Sequence, residues 1–511
     1  MDSIFRLWVP KKLKFPILLA LAIALCFSSG IPSTIYPYII GDQAAISADL
    51  SMAVYAYCAG MVCSIPLIFR LTLFMPKKQI IIISIILLMV INGLLSINPS
   101  PLLNVMLMFS FGCIKIIVTM AMISELMPYL MPTGERYQMY AIYYPMNMIF
   151  PVIGGLISAH LAASYFWEMG YHFQNLMLAG CLLLALLTFR TQVFKRIPLF
   201  QYDWFGTIIL AASLLSFSFV ASYGLQENWL SSKSILIGIC CFVAFSLLFF
   251  NLNVKKKRKI ISFKVIGQKS TFLTLLTVFL LGLFYSNTSL ISNLMNVILP
   301  GNPTKHAEIN SYVILGYALG SAIVYIYFKI TKKVKMIILL AAALYLLSNI
   351  LCFRLITSNT PITYLILPII LRGMAIIISF IATAVYLAAN VTGKAFLHSI
   401  VLFILVRTFL VTVFWSSFLS NWYYSLQVFY QTRIAERMGI PQSLDGSFIS
   451  AVQKQVNVLA LQDIYLYLCL INVVILLIIA FLPYHSSTVR HIFNWQTKKN
   501  AKELIQATPV N

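Results

Sequence analysis

Apolar runs long enough to cross a lipid bilayer recur fourteen times along this chain of 511 residues, and the segments between them are too short to fold alone. A helix needs about 20 predominantly apolar residues to traverse the hydrocarbon layer. The runs cover residues 16–40, 52–69, 78–97, 102–124, 138–162, 172–189, 204–224, 233–252, 270–298, 309–329, 334–354, 362–388, 396–420 and 463–483. Only 10% of residues are charged and 61% are hydrophobic, whereas a soluble domain carries roughly 25% charged residues. The pattern predicts an all-α polytopic membrane protein with fourteen transmembrane helices. The N-terminus, MDSIFRLWVPKKLKFPILLALAIALCFSSG, begins like a secretory signal. Its apolar stretch continues to Ile40, too long for a signal core, so it is expected to remain as the first span.

The net charge of +23 suggests a nucleic-acid partner until its distribution is followed. With the N-terminus cytoplasmic, 27 of the 36 Lys and Arg residues fall on the cytoplasmic side, six on the other, and three inside spans. Such a bias orients membrane proteins, and it predicts both termini in the cytoplasm. The basic excess then serves topology and contact with anionic headgroups. The nine cysteines all lie in apolar runs, without CxxC or Cys/His spacing, so neither a disulfide framework nor a zinc site is expected. No metal and no cofactor is predicted.

The densest charge run, NVKKKRKIISFKVIGQK at 253–269, separates eight spans from six. The division predicts an N-terminal six-helix bundle over 1–190 and two extra transmembrane helices over 191–252. After the basic cytoplasmic loop 253–269 come a C-terminal six-helix bundle over 270–483 and a basic cytoplasmic tail over 484–511. The 421–462 connection, rich in aromatics, reads as an interfacial amphipathic helix on the non-cytoplasmic side. Two-half architectures are common in secondary transporters, with the substrate near the midplane between halves.

The residues that carry a family resemblance are spread in order over about 450 positions. Pro37, Gly41 and Asp42 stand in YPYIIGD, and Pro151, Gly154 and Gly155 in NMIFPVIGG. Asp203, Gly206, Gly224 and Trp229 bound one apolar segment, and Arg372 with Gly373, Arg407, and Arg433 with Glu436 follow. In this the chain resembles the fourteen-helix drug:proton antiporters of the major facilitator superfamily, the EmrB/QacA type, as a divergent member. The resemblance implies two six-helix bundles with two linker helices, efflux by antiport as in multidrug resistance, and Pro37, Pro151, Gly154, Gly155 and Arg407 as motif or gating positions. It also implies, by analogy with related exporters, a periplasmic adaptor (a membrane fusion protein) and an outer-membrane channel as partners. The family's helix-one acid would sit near Ser28, where this chain has none, and the loop after the second span reads FRLTLFMPKK.

Lys115, Arg372 and Arg407 lie midway along the fourth, twelfth and thirteenth spans. A cation at a helix centre costs about 2.5–3.5 kcal/mol on insertion scales, so none should face lipid. Each either faces a cavity or caps backbone carbonyls. Lys115 and Arg372 are the cavity candidates, joined by Tyr285, Ser289 and Asn293 at helical spacing in 270–298 and by Ser28 near a kink with Ser29, Pro32 and Ser33. Deep acids are absent from the spans. Glu125, at the end of the fourth, is the candidate proton site or else a solvated helix-end carboxylate. Three cations without deep anions predict a substrate that is anionic, or amphiphilic with an acidic group. No paired-acid, Ser/His/Asp or Gly-rich phosphate motif supports an enzyme. The expected function is export of such a compound by alternating access. The alternatives are a non-transporting receptor or scaffold derived from a carrier, and an importer or uniporter without proton coupling.

Overall fold

The computed structural model describes residues 4–28, 31–43, 46–97, 100–132, 134–191, 198–199, 202–256, 259–331, 333–357, 360–438 and 446–484. The expected basic tail beyond 484, the side chains of 29–33 and that of Asp42 lie outside the described residues. The chain is helical: α1 (Lys11–Phe27), α2 (Ile31–Gln43), α3 (Ser47–Phe74), α4 (Lys77–Ile97), α5 (Pro101–Leu130), α6 (Arg136–Ser164), α7 (Met169–Thr188), α8 (Trp204–Tyr223) and α9 (Lys233–Lys255). Then follow α10 (Lys269–Tyr285), α11 (Thr288–Ile298), α12 (Pro303–Ser311), α13 (Val313–Ile330), α14 (Val334–Leu355), α15 (Ile366–Asn390), α16 (Gly393–Ile404), a π-helical stretch (Leu405–Trp415), α17 (Ser416–Met438) and α18 (Gly446–Phe481).

Among the described residues, thirteen helices are long and apolar enough to cross a membrane. The expected first span comprises α1 and α2 on either side of residues 29–30. Large apolar side chains stand exposed along the outer faces, such as Leu183 and Leu187 on α7, Leu247 and Phe250 on α9, and Leu470 and Val474 on α18. Patches of that extent are untenable in water and satisfied in lipid. The protein is an integral membrane protein.

Helices α1–α7 pack around one core containing Leu21, Leu88, Val118 and Leu178, and α10–α15, α17 and α18 around a second containing Phe284, Tyr345, Ile377 and Leu468; α16 and the π stretch join a third with α3 and α8, containing Phe403, Val411, Ile65 and Leu214. In each half one close crossing rests on glycine. A Cβ on Gly60 would collide with the Phe109 carbonyl, and one on Gly112 with that of Tyr57, so α3 and α5 meet backbone to backbone. Gly316 against Ile370 and Gly373 against Val313 do the same for α13 and α15. Small residues permit such approach where lipid offers no hydrophobic drive to association.

The α8–α9 pair packs on itself and meets the rest chiefly through α8 on α3. Asp203 caps α8, accepting from the Gly206 amide at 2.9 Å, and pairs with Lys256 of α9 at 2.5 Å. Tyr223 at the other end donates to Asp49 of α3 at 2.5 Å.

Two expected elements differ. The 270–298 span is broken at 286–287. The 421–462 connection is not a separate interfacial helix: α17 and α18 continue into it from both sides and pack on each other, with Gln427 Nε2 donating to Asn457 Oδ1 at 2.6 Å. Half-buried polar pairing joins the two helices.

Candidate functional site

A cavity of about 860 Å³ lies between the halves, walled by α3, α5 and α6 on one side and by α15, α16 and the π stretch on the other. It reaches the surface at the helix ends that carry Thr72, Lys77, Met127 and Arg136. The opposite end is crossed by contacts between halves: Tyr38 Oη to Thr304 Oγ1 at 3.1 Å, and His160 Nε2 to Glu308 Oε1 at 3.6 Å. A stripe along α6 forms much of one wall. Arg136, Tyr140, Tyr144 and Met148 all line it, and their spacing of four residues sets them on one helix face. Tyr140 and Tyr144 stack with centroids 5.4 Å apart. That spacing stands in the sequence as RYQMYAIYYPMNM and is a signal for this wall that a reading for charged and kink-forming residues misses.

The three intramembrane cations have different placements. Arg407 lines the cavity. Its guanidinium lies 3.8 Å from the Phe380 ring centroid, 4.6 Å from that of Tyr144 and 5.8 Å from that of Phe403. Cation–π contact of this kind stabilises the charge by about 0.5–2 kcal/mol while leaving the N–H donors in the guanidinium plane unspent. Among the described residues no hydrogen-bond acceptor or carboxylate pairs with it.

Lys115 and Arg372 do not line this cavity. Both are buried and act on broken helices. Lys115 Nζ of α5 donates to the Leu25 carbonyl and to Ser28 Oγ, at the end of α1, while Gln174 Nε2 of α7 donates to the Ser28 carbonyl at 3.3 Å. Arg372 of α15 donates to the Phe284 carbonyl at 3.4 Å, to the Tyr285 carbonyl at 2.8 Å and to Thr288 Oγ1, across the break between α10 and α11. A helix end leaves its last carbonyls without intrahelical donors, and in an apolar bundle those acceptors must be met by side chains. The two halves therefore repeat one device: the first span breaks, and a cation from the fourth span caps it.

The other sequence candidates are distributed accordingly. Ser28 and Tyr285 line the cavity beside the two breaks, whereas Ser289 and Asn293 stand on α11 away from it. The break at 286–287 takes α11 out of register with α10, so helical spacing from Tyr285 to Asn293 does not keep them on one face. Glu125 is held by Lys77 at 2.5 Å at the cavity mouth. Pro37 is exposed on α2, and Pro151 lies inside α6. A Cβ on Gly154 would stand 2.9 Å from the Phe27 carbonyl, so this glycine admits the end of α1 against α6. Gly155 beside it is buried. From the same stretch Asn147 lines the cavity and accepts from the Cys26 thiol at 3.2 Å.

Two packed halves stand around a central cavity, each with an interrupted first span. Solved structures of other membrane proteins share this fold. The chain is similar to the nucleoside transporter NupG at a TM-score of 0.53, with 14% identity over 91% of this chain and 98% of that one. It is similar to a bacterial homologue of the human drug peptide transporters PepT1 and PepT2 at 0.57, with 11% identity over 92% and 98%. A POT family transporter in complex with 5-aminolevulinic acid gives 0.57, with 15% identity over 91% and 96%. No protein-family model and no curated protein sequence matches the chain.

Proposed function

We propose that this protein is a secondary active transporter that exports a small anionic or amphiphilic compound by alternating access of its two halves about the central cavity. The observation that carries the reading is Arg407: a cation in the cavity wall, held by aromatic faces and without a carboxylate partner among the described residues. The cavity's other charged lining residues, Lys77 and Arg136, are also basic. A half-buried charge lacking a counter-ion in an apolar bundle favours a ligand that supplies one. The source of the anion's attraction is thus Arg407, rather than Lys115 and Arg372, whose donors are spent on backbone.

In this reading the chain crosses a bacterial inner membrane fourteen times as two six-helix bundles with α8 and α9 as linker helices, in the manner of the EmrB/QacA antiporters. The basic loops and both termini face the cytoplasm, as the charge bias supports, and the cavity then opens inward. Antiport against protons proceeds without a deep acid. The surface formed by α17 and α18 is where a periplasmic adaptor would meet the exporter.

Everted membrane vesicles test the scheme. Uptake of an organic carboxylate above that of vesicles lacking the protein, at least tenfold reduced in Arg407→Gln, is expected, and a protonophore should abolish it if protons drive export. Equal handling of lipophilic cations, or no dependence on Arg407, would sink the anion reading. Binding of the carboxylate without any flux would favour a carrier-derived receptor.

A further inference from the structure

Two arginines stand on the cavity wall, one from each half. Arg136 belongs to α6 and Arg407 to the π stretch, and both line the cavity. They are set along the same two helices. On α6, the Arg407 guanidinium rests 4.6 Å from the centre of the Tyr144 ring, eight residues beyond Arg136. On α16, Arg136 rests 4.6 Å from the Phe396 ring centre and Arg407 5.8 Å from that of Phe403, seven residues further on. At α-helical rise these spacings are roughly 12 Å and roughly 10 Å, so the two helices agree on the separation of the charges. Between the arginines the wall is uncharged, with Tyr140 on α6 and Ile400 on α16 lining it. Lys77, the other charged residue of the lining, is already met by Glu125. Among the described residues no Asp or Glu lines the cavity. Arg136 also reaches across the mouth to the opposite half, its Nη1 donating to the Ala388 carbonyl of α15 at 3.2 Å.

We infer that the ligand of this cavity is an elongated dianion, with one acidic group at each end of an apolar body, held by Arg136 at the mouth and by Arg407 in depth. This rests on the anion-transport reading above and narrows its substrate class. Pairs between a guanidinium and an oxyanion are charge-assisted and directional, so each end of the ligand finds one partner. A body roughly 10 Å long, the separation set by helical rise, covers Tyr140 and Ile400 between them. A monoanion meets one arginine and leaves the charge of the other uncompensated. Two separate monoanions would meet both, but they would repel one another inside a wall of low dielectric. The two ends also engage different halves. Arg136 is carried by the N-terminal bundle and Arg407 by the C-terminal one, so a dianion joins the halves through a single molecule.

Uptake into proteoliposomes holding the full chain tests this with three sulfonates, which stay ionised and do not cross lipid as neutral acids. The probes are biphenyl-4,4′-disulfonate, biphenyl-4-sulfonate and methanedisulfonate, and protein-free vesicles set the background. The biphenyl disulfonate should enter at least tenfold faster than either other probe. In Arg136→Gln its advantage over the monosulfonate should shrink to within about twofold, because only the Arg407 end is still met. Arg407→Gln should lower uptake of both biphenyl probes at least tenfold. If Arg136→Gln lowers both biphenyl probes alike and keeps their ratio, Arg136 is structural and the proposal fails. The monosulfonate carried by the unaltered protein as well as the disulfonate would overturn the dianion and leave anion transport standing. Methanedisulfonate carried equally well would do the same, since it is too short to reach both arginines. No uptake of any sulfonate would overturn the dianion and, together with failure of the carboxylate assay above, anion transport itself. The comparison of probes needs no variant to fold.

Discussion

Replacing Lys115 by Met separates a helix-capping cation from a substrate-binding one. The substitution keeps the length of the side chain and removes its ammonium from the Leu25 carbonyl and Ser28 Oγ. Hydrogen bonds to a charged group contribute about 1.5–3 kcal/mol each, so two lost bonds cost about 3–6 kcal/mol. Removing a cation from the helix centre returns about 2.5–3.5 kcal/mol of insertion cost. The difference runs from about zero to about 3.5 kcal/mol, centred on a net destabilisation of about 1.5 kcal/mol. That magnitude lowers the thermal unfolding midpoint by a few degrees and leaves most of the protein folded at room temperature. The carbonyl freed at the end of α1 lies beside the cavity-lining Ser28, so turnover should fall as the break loosens. The KM for an organic anion should stay within about twofold, because Lys115 does not itself line the cavity and reaches it only through Ser28. Thermal unfolding in lipid nanodiscs, with transport kinetics in proteoliposomes, reads both quantities. A K115M variant of unchanged stability whose KM rises tenfold, as expected for R407Q, would refute the capping argument.

The remaining expectations follow from the same geometry. Arg372→Met removes donors from three acceptors rather than two, and the same unfolding assay should find it less stable than K115M. Gly60→Leu drives a side chain into the Phe109 carbonyl; overpacking of about 1–3 kcal/mol or more should cut the folded yield on size-exclusion chromatography, whereas Gly41→Leu, which meets nothing within 4 Å, should not. Tyr144→Ala removes one aromatic face from Arg407, and a loss of about 0.5–2 kcal/mol should raise the KM for the anion between twofold and thirtyfold. The Lys77–Glu125 pair is half-buried at the mouth, so K77E and E125K should each slow transport and their combination restore it; failure of the double variant to recover would show that the charges act separately.

Much of the architecture was readable because it depends on short stretches of chain. Span lengths and the Lys/Arg bias are local quantities, and so are the segment boundaries at Asp203, Gly224 and the 253–269 loop. Ser28 and Tyr285 line the cavity; the first was expected there from a nearby kink, the second from its helical spacing with Ser289 and Asn293. The interruption at 286–287 itself carries no proline or glycine, and sequence spacing ran straight across it to Ser289 and Asn293. The π-helical turn that carries Arg407 was equally hidden. It is held from outside, by Ser286 donating to the Val411 carbonyl at 2.9 Å and Trp415 to the Phe279 carbonyl at 2.8 Å.

By itself, then, the sequence settled that this chain lives in a bilayer, that it is helical, and that three cations in its spans must be shielded from lipid. Each follows from the cost of placing polar groups in hydrocarbon, which is set residue by residue. Only the tertiary structure decided which cation lines the cavity. Lys115 and Arg372 were claimed by carbonyls 90 and 88 residues away along the chain. Arg407 found rings on α6 and α15 instead of acceptors. Hydrogen-bond acceptors released by a helix break appear only when the chain is folded, and the nearest donor takes them.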